Sequence, residues 1–282
     1  MSVSTPVPGT LYLVATPIGN LSDISVRAAS TLQGVDFIAA EDTRITRHLL
    51  EHLNIKKPLV SYYKHNSRSS GEKIMSRILD GESCALVTDA GTPGISDPGE
   101  DLVCLCAEAN IPMMMIPGPC AAVSALALSG LSTKRFTFEG FLSVEKKKRN
   151  SHLKELINET RTMIFYEAPH KLVRTLNDML KILGDRRISI SREMTKIYDE
   201  TLRMTISEAL LHYESKSPRG EFVLVIEGAA NNLEPDTILD EGIKNAIVLV
   251  NGGLSVKDAV KRAADETGCS RNALYNAVVA LE

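Results

Sequence analysis

The stretch Leu86-Val87-Thr88-Asp89-Ala90-Gly91-Thr92-Pro93-Gly94-Ile95-Ser96-Asp97-Pro98-Gly99 decides the fold. The apolar run Cys84 to Val87 reads as a buried strand, and it breaks at once into glycine, proline and small polar residues. Asp97-Pro98-Gly99-Glu100 then has the form of a helix start: Asp97 as N-cap, Pro98 at the first helical position, Glu100 completing Asp-x-x-Glu. Gly91 and Gly94 permit backbone angles that a Cβ forbids, while Asp89 sets a carboxylate at the strand's end. Strand, small-residue loop and capped helix are how an α/β sheet makes a ligand crevice at its carboxyl edge. A plain turn needs fewer special residues than this, so the loop is read as a binding loop.

Working outward toward the N-terminus, strand and helix alternate. Residues 10–15 form a strand ending in Thr16-Pro17-Ile18-Gly19-Asn20-Leu21, and Asp23 or Ser25 caps a helix to about residue 34. Residues 35–40 form a second strand, closed by Glu41-Asp42-Thr43-Arg44 before a helix through residue 53. Residues 58–62 form a third, followed by Lys64-His65-Asn66 and a helix to about residue 80. Beyond the central loop come a helix from residue 98 and a short strand at 112–116. This rhythm predicts a mostly parallel sheet with crossover helices. The polar clusters all follow strands, so they share one sheet edge with the central loop.

Pro117-Gly118-Pro119 reads as a hinge, with a small-residue helix over 120–128 behind it. The second half differs. A strand at 161–167 runs into Phe165-Tyr166-Glu167-Ala168-Pro169-His170, a helix extends to about residue 183, and further strands fall at 187–191, 200–205 and 221–226. Several strands with fewer helices predict a mixed sheet. A polar linker at 231–236 precedes three short helices at 236–250, 255–266 and 270–281, the last two joined like a helix-turn-helix by Gly268-Cys269-Ser270. The expected organisation is α/β: a domain at 1–117, a second α/β domain at 118–232 with a cleft between the two, and a helical unit at 233–282.

The chain has 282 residues, 44% hydrophobic and 24% charged, which suits a globular protein of more than one domain. Its formal net charge of −3 excludes a wholly basic nucleic-acid binder but leaves room for a local basic face. The five cysteines form no C-x-x-C pair and are read as reduced thiols of a cytoplasmic protein. Residues 1–9 lack the basic region of a signal peptide, and the apolar run after them is too short to cross a membrane. There is no G-x-x-x-x-G-K-[ST], no G-x-G-x-x-G after the first strand, no G-x-S-x-G, and no His/Cys/carboxylate spacing of a metal site. What remains is the late small-residue loop, the hinge and the charged clusters at strand ends.

Together, residues 9–21 (GTLYLVATPIGNL), 40–44 (AEDTR), 86–99, 117–119 (PGP), 165–170 (FYEAPH) and 219–223 (RGEFV) resemble the tetrapyrrole-methylase-like, or class III, methyltransferases. Within them they resemble the branch that acts on small-subunit ribosomal RNA. Each motif is short, but their common order across nearly the whole chain is specific. The resemblance implies two α/β domains, a homodimer, and S-adenosylmethionine bound between the domains. The implied activity is 2′-O-ribose methylation of a cytidine in the decoding region. Cys120 stands where the family usually has serine, and Lys171 where arginine often follows Pro-His.

By the same resemblance Asp89, Gly91, Thr92, Pro93, Gly94 and Ile95 form the cofactor loop. Pro17, Cys120, Ala121, Phe165, Tyr166 and the strand after Gly220 line the remainder. Phe165 and Tyr166 read equally well as core at a strand end. A ribose hydroxyl is a poor nucleophile near neutral pH and needs a base or a nearby cation. Glu41, Asp42, Glu167 and Glu193 are the candidate bases, and Arg44, Arg192 and Lys196 the candidate cations; structural ion pairing among them is the competing explanation. Of these, Glu41, Arg44, Glu167 and Lys196 carry the catalytic expectation.

RNA contact requires local positive charge. It is available at Lys146-Lys147-Lys148-Arg149 with His152 and Lys154, and at Arg44, Arg47, His48, Lys64, His65 and Arg68. Tyr62 and Tyr63 are candidates for stacking on an unpaired base. From Asp236 onward the chain has seven acidic residues against five Lys or Arg, so the helical unit reads as an accessory to a larger RNA or protein surface. Two other functions fit less: a tetrapyrrole methyltransferase requires neither the basic stretches nor the helical unit, and a ligand-binding helix-turn-helix regulator leaves the strand-end clusters unexplained.

Overall fold

A computed structural model describes residues 5–63, 66–230 and 235–280. Lys64, His65 and most of the linker lie outside the described residues. The chain divides into two compact units, Met1–Gly228 and Ala229–Glu282.

The first unit holds two five-stranded sheets. In the first, β1 (Leu11–Val14), β2 (Phe37–Ala40), β3 (Leu59–Ser61), β4 (Cys84–Val87) and β5 (Met113–Ile116) are all parallel, in the order β3-β2-β4-β1-β5. Alternate side chains of these strands go to opposite faces, and helices cover both. Tyr12, Val14, Ile38, Ala40, Ala85 and Val87 pack with Ala28 and Leu32 of α1 (Val26–Gly34) and Leu50 of α2 (Thr43–His52). Leu11, Phe37, Ala39, Cys84 and Leu86 pack with Ile74 and Ile78 of α3 (Ser67–Leu79) and Leu102 and Cys106 of α4 (Gly99–Glu108). Each large aliphatic side chain so buried contributes about 1.5–3 kcal/mol. Ser25 caps α1, accepting from Ala28 N at 3.0 Å.

The second sheet is mixed, in the order β6-β7-β10-β8-β9. Its strands are β6 (Phe136–Phe141), β7 (Thr162–Glu167), β8 (Arg187–Arg192), β9 (Glu200–Thr205) and β10 (Phe222–Ile226); only β6 and β7 are parallel. One face, with Met163, Phe165, Ile188, Ile190, Leu224 and Ile226, packs on α6 (Lys146–Glu155), α7 (Leu172–Leu183) and α8 (Ile206–Ser215). The other, with Ile164, Tyr166, Val223 and Val225, receives α5 (Ala121–Leu128). Strand β6 and helix α8 are additions to the elements read from the sequence.

In the second unit α9 (Pro235–Asn251), α10 (Val256–Thr267) and α11 (Arg271–Val279) bury Ala246, Val260, Ala263, Ala264, Leu274 and Val278 together. Ser255 caps α10, and Gly268 ends it in the left-handed conformation.

The basic run on α6 divides by the helical period. Lys146, Lys147 and Lys148 are exposed, but Arg149 is 2% exposed and belongs to the interior. Its guanidinium donates to Asp178 Oδ2 at 2.8 Å and to the carbonyls of Ser143 and Val144 at 3.0 and 3.1 Å. Arg149 therefore ties α6 to α7 and is removed from the RNA-contact set. Tyr62 is likewise core, 1% exposed. Removing one partner of such a buried pair strands the other charge, so Arg149→Met should destabilise the protein by roughly 3–5 kcal/mol in denaturant unfolding. Lys147→Ala should stay within about 0.5 kcal/mol of the parent.

Candidate active site

A cleft of about 570 Å³ opens between the carboxyl edge of the first sheet and the edge of the second sheet where β6, β7 and β8 end and β10 begins. The first sheet supplies Ile18 after β1, Glu41 after β2, and Thr88 to Thr92 with Ile95, Ser96 and Asp97 after β4. Cys120 and Ala121 come from the start of α5. The second sheet supplies Phe141 at the end of β6, Tyr166 and Glu167 at the end of β7 with Ala168 and Pro169 beyond it, Met194 after β8, and Glu221, Phe222 and Val223 at the start of β10.

The loop after β4 is held from three sides. Thr16 N donates to Gly91 O at 2.9 Å and Gly91 N to Thr16 O at 3.1 Å, so the chain turns back and pairs antiparallel with the residue after β1. This turn puts Gly91 at φ +91, and a Cβ there would also press on Ile18 Cγ2 at 3.4 Å. Thr92 Oγ1 donates to Pro119 O at 3.1 Å, joining the loop to the segment before α5. Asp97 accepts from Gly94 N and from Gly99 N at 2.7 Å. It caps α4 from one residue earlier than expected and clamps the loop as well, with Pro98 at the N-cap.

Electrostatically the cleft is one-sided. Among the described residues lining it are Glu41, Asp89, Asp97, Glu167 and Glu221, with no lysine or arginine. Burial pushes the Glu41 carboxyl above its ordinary value; the hydrogen bond from Thr88 Oγ1 at 2.9 Å opposes this, and Asp89 and Asp97 add repulsion. Burial also raises Asp89, against the bond from Asp42 N at 3.0 Å. The Tyr166 hydroxyl is pushed up to about 12 by burial and accepts from Ala122 N at 3.1 Å. Among the described residues no group of three His, Cys, Asp or Glu is arranged to hold a metal.

The structure gathers Glu41, Asp89, Gly91, Thr92, Ile95, Cys120, Ala121, Tyr166 and Glu167 from the expected set. It does not bring Pro17, Pro93, Gly94, Gly220, Phe165, Arg44 or Lys196 to the wall. Phe165 is fully buried on the opposite face of its sheet, one residue out of phase with Tyr166. Gly220 lies behind Glu193, whose side chain fills the space of its missing Cβ. Arg44 is exposed and committed to Asp42, whose carboxyl it holds down to about 2. Lys196 donates to Glu193 Oε1 at 2.9 Å and to Glu221 Oε2 at 3.0 Å, one layer behind the wall. The first of these bonds lowers Glu193 below the usual carboxylate value. Glu167 accepts from Thr175 Oγ1 at 2.5 Å and Ala168 N at 2.9 Å, with Lys171 Nζ 3.9 Å away. Phe141 and Met194 gave no signal in the sequence, since the first lies on the unforeseen β6 and the second reads as core.

Residues 10–210 match the family of tetrapyrrole (corrin/porphyrin) methylases. The chain belongs to the tetrapyrrole methylase family. Residues 241–282 also match the RsmI C-terminal HTH domain. Among curated methylase relatives, the ribosomal RNA small subunit methyltransferase I of a Synechocystis strain is 46% identical over 97% of this chain and 99% of its own. The protein of the same description from Bacillus subtilis is 44% identical over 95% and 94%. Among solved structures, a cobalt precorrin-4 methyltransferase superposes with TM-score 0.58 at 13% identity, covering 78% of this chain and 95% of that one. A uroporphyrin-III C-methyltransferase from Thermus thermophilus gives 0.56 at 18%, covering 78% and 94%. These two likenesses show the methylase fold.

A carboxyl raised by burial carries its penalty in the ionised form. The penalty is therefore full above the raised value and relieved as pH falls through it toward the unfolded value of roughly 4.3. Glu41→Gln keeps an acceptor for Thr88, so the variant should melt higher than the parent at pH 7. That gain should vanish below about pH 4, as followed by calorimetric Tm across pH.

Proposed function

We propose that this chain is an S-adenosylmethionine-dependent methyltransferase acting on small-subunit ribosomal RNA, and that it methylates the 2′-hydroxyl of a cytidine in the decoding region. The substrate class is supported by relatives named ribosomal RNA small subunit methyltransferase I that match at 41–47% identity, most of them over 95–97% of this chain. The cytidine and its 2′-oxygen follow from the motif resemblance. We place the reaction in the cytoplasm, where small subunits are assembled, and assign a homodimer. The exposed edge strand β5, with Met113, Met114 and Met115 open to solvent, favours self-association.

The single observation that carries the cofactor assignment is the acid-lined cleft walled by the loop that turns at Gly91. Glu167 and Glu221 have lysine partners behind the wall, but Glu41, Asp89 and Asp97 form no ion pair among the described residues. The cleft's excess of negative charge suits a cationic ligand better than a phosphate-bearing one. Its volume lies within the roughly 300–1,000 Å³ of small-molecule sites, and Ile18, Ala121, Met194 and Val223 provide apolar surface for an aromatic ring. S-adenosylmethionine supplies an electrophilic methyl group when bound. The residues from Asp89 to Thr92, with Ile95, Cys120, Ala121 and Tyr166, hold it by shape and backbone contact. Glu41 takes the proton from the acceptor hydroxyl. It is the candidate base that lies in the cleft, is raised by burial, and has a lone side-chain donor, Thr88. Glu167 is saturated by donors and positions the β7 turn. Arg44 and Lys196 hold the strand-end loops through Asp42, Glu193 and Glu221.

Labelled cofactor should be offered with small ribosomal subunits, free small-subunit RNA and a precorrin mixture. The expected product is an alkali-resistant dinucleotide carrying label on a cytidine ribose; label in the macrocycle or in alkali-labile RNA overturns the proposal. Glu41→Gln should lose on the order of 100-fold or more in kcat while keeping cofactor affinity within about twofold by calorimetry.

A further inference from the structure

The segment joining β8 to β9 is built against the preferences of its own backbone. Glu193 and Thr195 occupy left-handed φ values of +50 and +66, a region that non-glycine residues enter at a cost in free energy. Four ties hold it there. Glu193 N donates to Glu221 O at 3.1 Å, and Thr195 N to Asp199 Oδ2 at 2.8 Å. Lys196 bridges Glu193 and Glu221. From the first sheet, Asn20 N donates to Thr195 Oγ1 at 3.1 Å. The neighbouring Gly19 makes this approach possible, because a Cβ there would sit 2.5 Å from Lys196 Cγ.

This clamped segment displays Ile197 at 95% exposure and Tyr198 at 71%. Scattered apolar residues on a surface are ordinary. Here two adjacent ones crown a segment whose strain yields no core packing at its tip, and whose Met194, a few residues earlier, lines the cleft. Charge narrows what the tip can hold. The segment's cations are already paired, Lys196 as above and Arg192 with Glu200 at 3.3 Å, and the cleft beside it is acidic. These pairings leave residues 192–199 with no unpaired lysine or arginine for a phosphate, so the tip offers apolar and aromatic surface instead.

We propose that Tyr198, with Ile197 beside it, is a stacking platform for an unpaired nucleobase next to the target ribose, and so a positioning residue for the RNA substrate. The inference rests on the ribosomal RNA reading above. Every base offers a π face, and a rigid tyrosine engages it with little loss of conformational freedom. Stacking on the segment that carries Met194 into the cleft wall would hold the acceptor nucleotide where phosphate grip is electrostatically disfavoured.

The parent, Tyr198→Ala and Tyr198→Phe are compared on small-subunit RNA with labelled cofactor. Tyr198→Ala should raise the KM for RNA on the order of tenfold. Cofactor Kd, Tm and the salt dependence of KM should be unchanged, and Tyr198→Phe should return KM to within about twofold of the parent. A 2-aminopurine beside the target nucleotide should be quenched on binding the parent and Tyr198→Phe, but not Tyr198→Ala. An unchanged KM in Tyr198→Ala, or a loss that phenylalanine does not rescue, overturns the platform. So does a Tyr198→Ala protein that sediments as a smaller species than the parent, which would make the tip a contact between copies of this chain. Failure of the parent itself to methylate RNA overturns the functional reading, an outcome separate from parent-like transfer by Tyr198→Ala.

Discussion

Two backbone hydrogen bonds between Thr16 and Gly91 set the geometry of everything near the cleft. β1 and β4 run parallel as neighbours, yet just beyond their ends the chain from β4 reverses and pairs antiparallel with the chain from β1. That reversal demands a residue at φ +91, which Gly91 provides at little cost. The two bonds are worth no more than others of their kind, about 0.5–1.5 kcal/mol each. Their importance is geometric: they aim Thr92 at Pro119, set Ile18 over the loop, and so fix where α5 begins relative to β4. The second sheet then meets an edge that is already shaped.

Hydrogen-bond saturation separates the carboxylates that maintain the fold from those left free for chemistry. Asp178 receives the Arg149 guanidinium, Glu193 receives Lys196, and Glu167 receives a hydroxyl and a backbone N–H. Each such acid is stabilised by the groups around it. Glu41 and Asp89 are half-buried and face further acids, and the hydrogen bonds from Thr88 and Asp42 do not offset the desolvation, so their ionised forms are disfavoured. A fold has no structural use for unrelieved carboxylates at the mouth of a cleft, and perturbed acids of this kind concentrate where ligands bind.

The sequence displays the first sheet almost completely, because buried parallel strands read as apolar runs and each is closed by polar, glycine or proline residues. It shows less of the second. β6 is a half-exposed edge strand carrying a register shift at Gly140, so neither alternation nor an apolar run marks it. α8 had a usable signature, the Thr205/Glu208 capping box followed by Ile206, Ala209 and Tyr213 at helical spacing, which the β-branched residues before it concealed. Phe165 and Tyr166 were indistinguishable for a physical reason: both faces of β7 are covered, so the apolar pattern cannot say which face meets the cleft. Arg149 was opaque because its partner Asp178 lies 29 residues away, while Arg44 pairs with Asp42 only two residues earlier, a local ion pair that the cluster at the end of β2 left open as the competing explanation.

The helical second unit constrains how RNA could be held. Of its five basic residues from Asp236 onward, Arg262 and Arg271 are paired with Glu266 and Asp265 inside the unit. Lys244, Lys257 and Lys261 remain against the five other acids, too little to supply a counterion-releasing grip by themselves. The exposed lysines 146 to 148 at the start of α6 and Arg47 on α2 belong to the first unit, the one that also contains the cleft. The exposed cationic surface and the cleft therefore belong to the same unit. The net acidic balance of the helical unit disfavours a second stretch of phosphate contacts there.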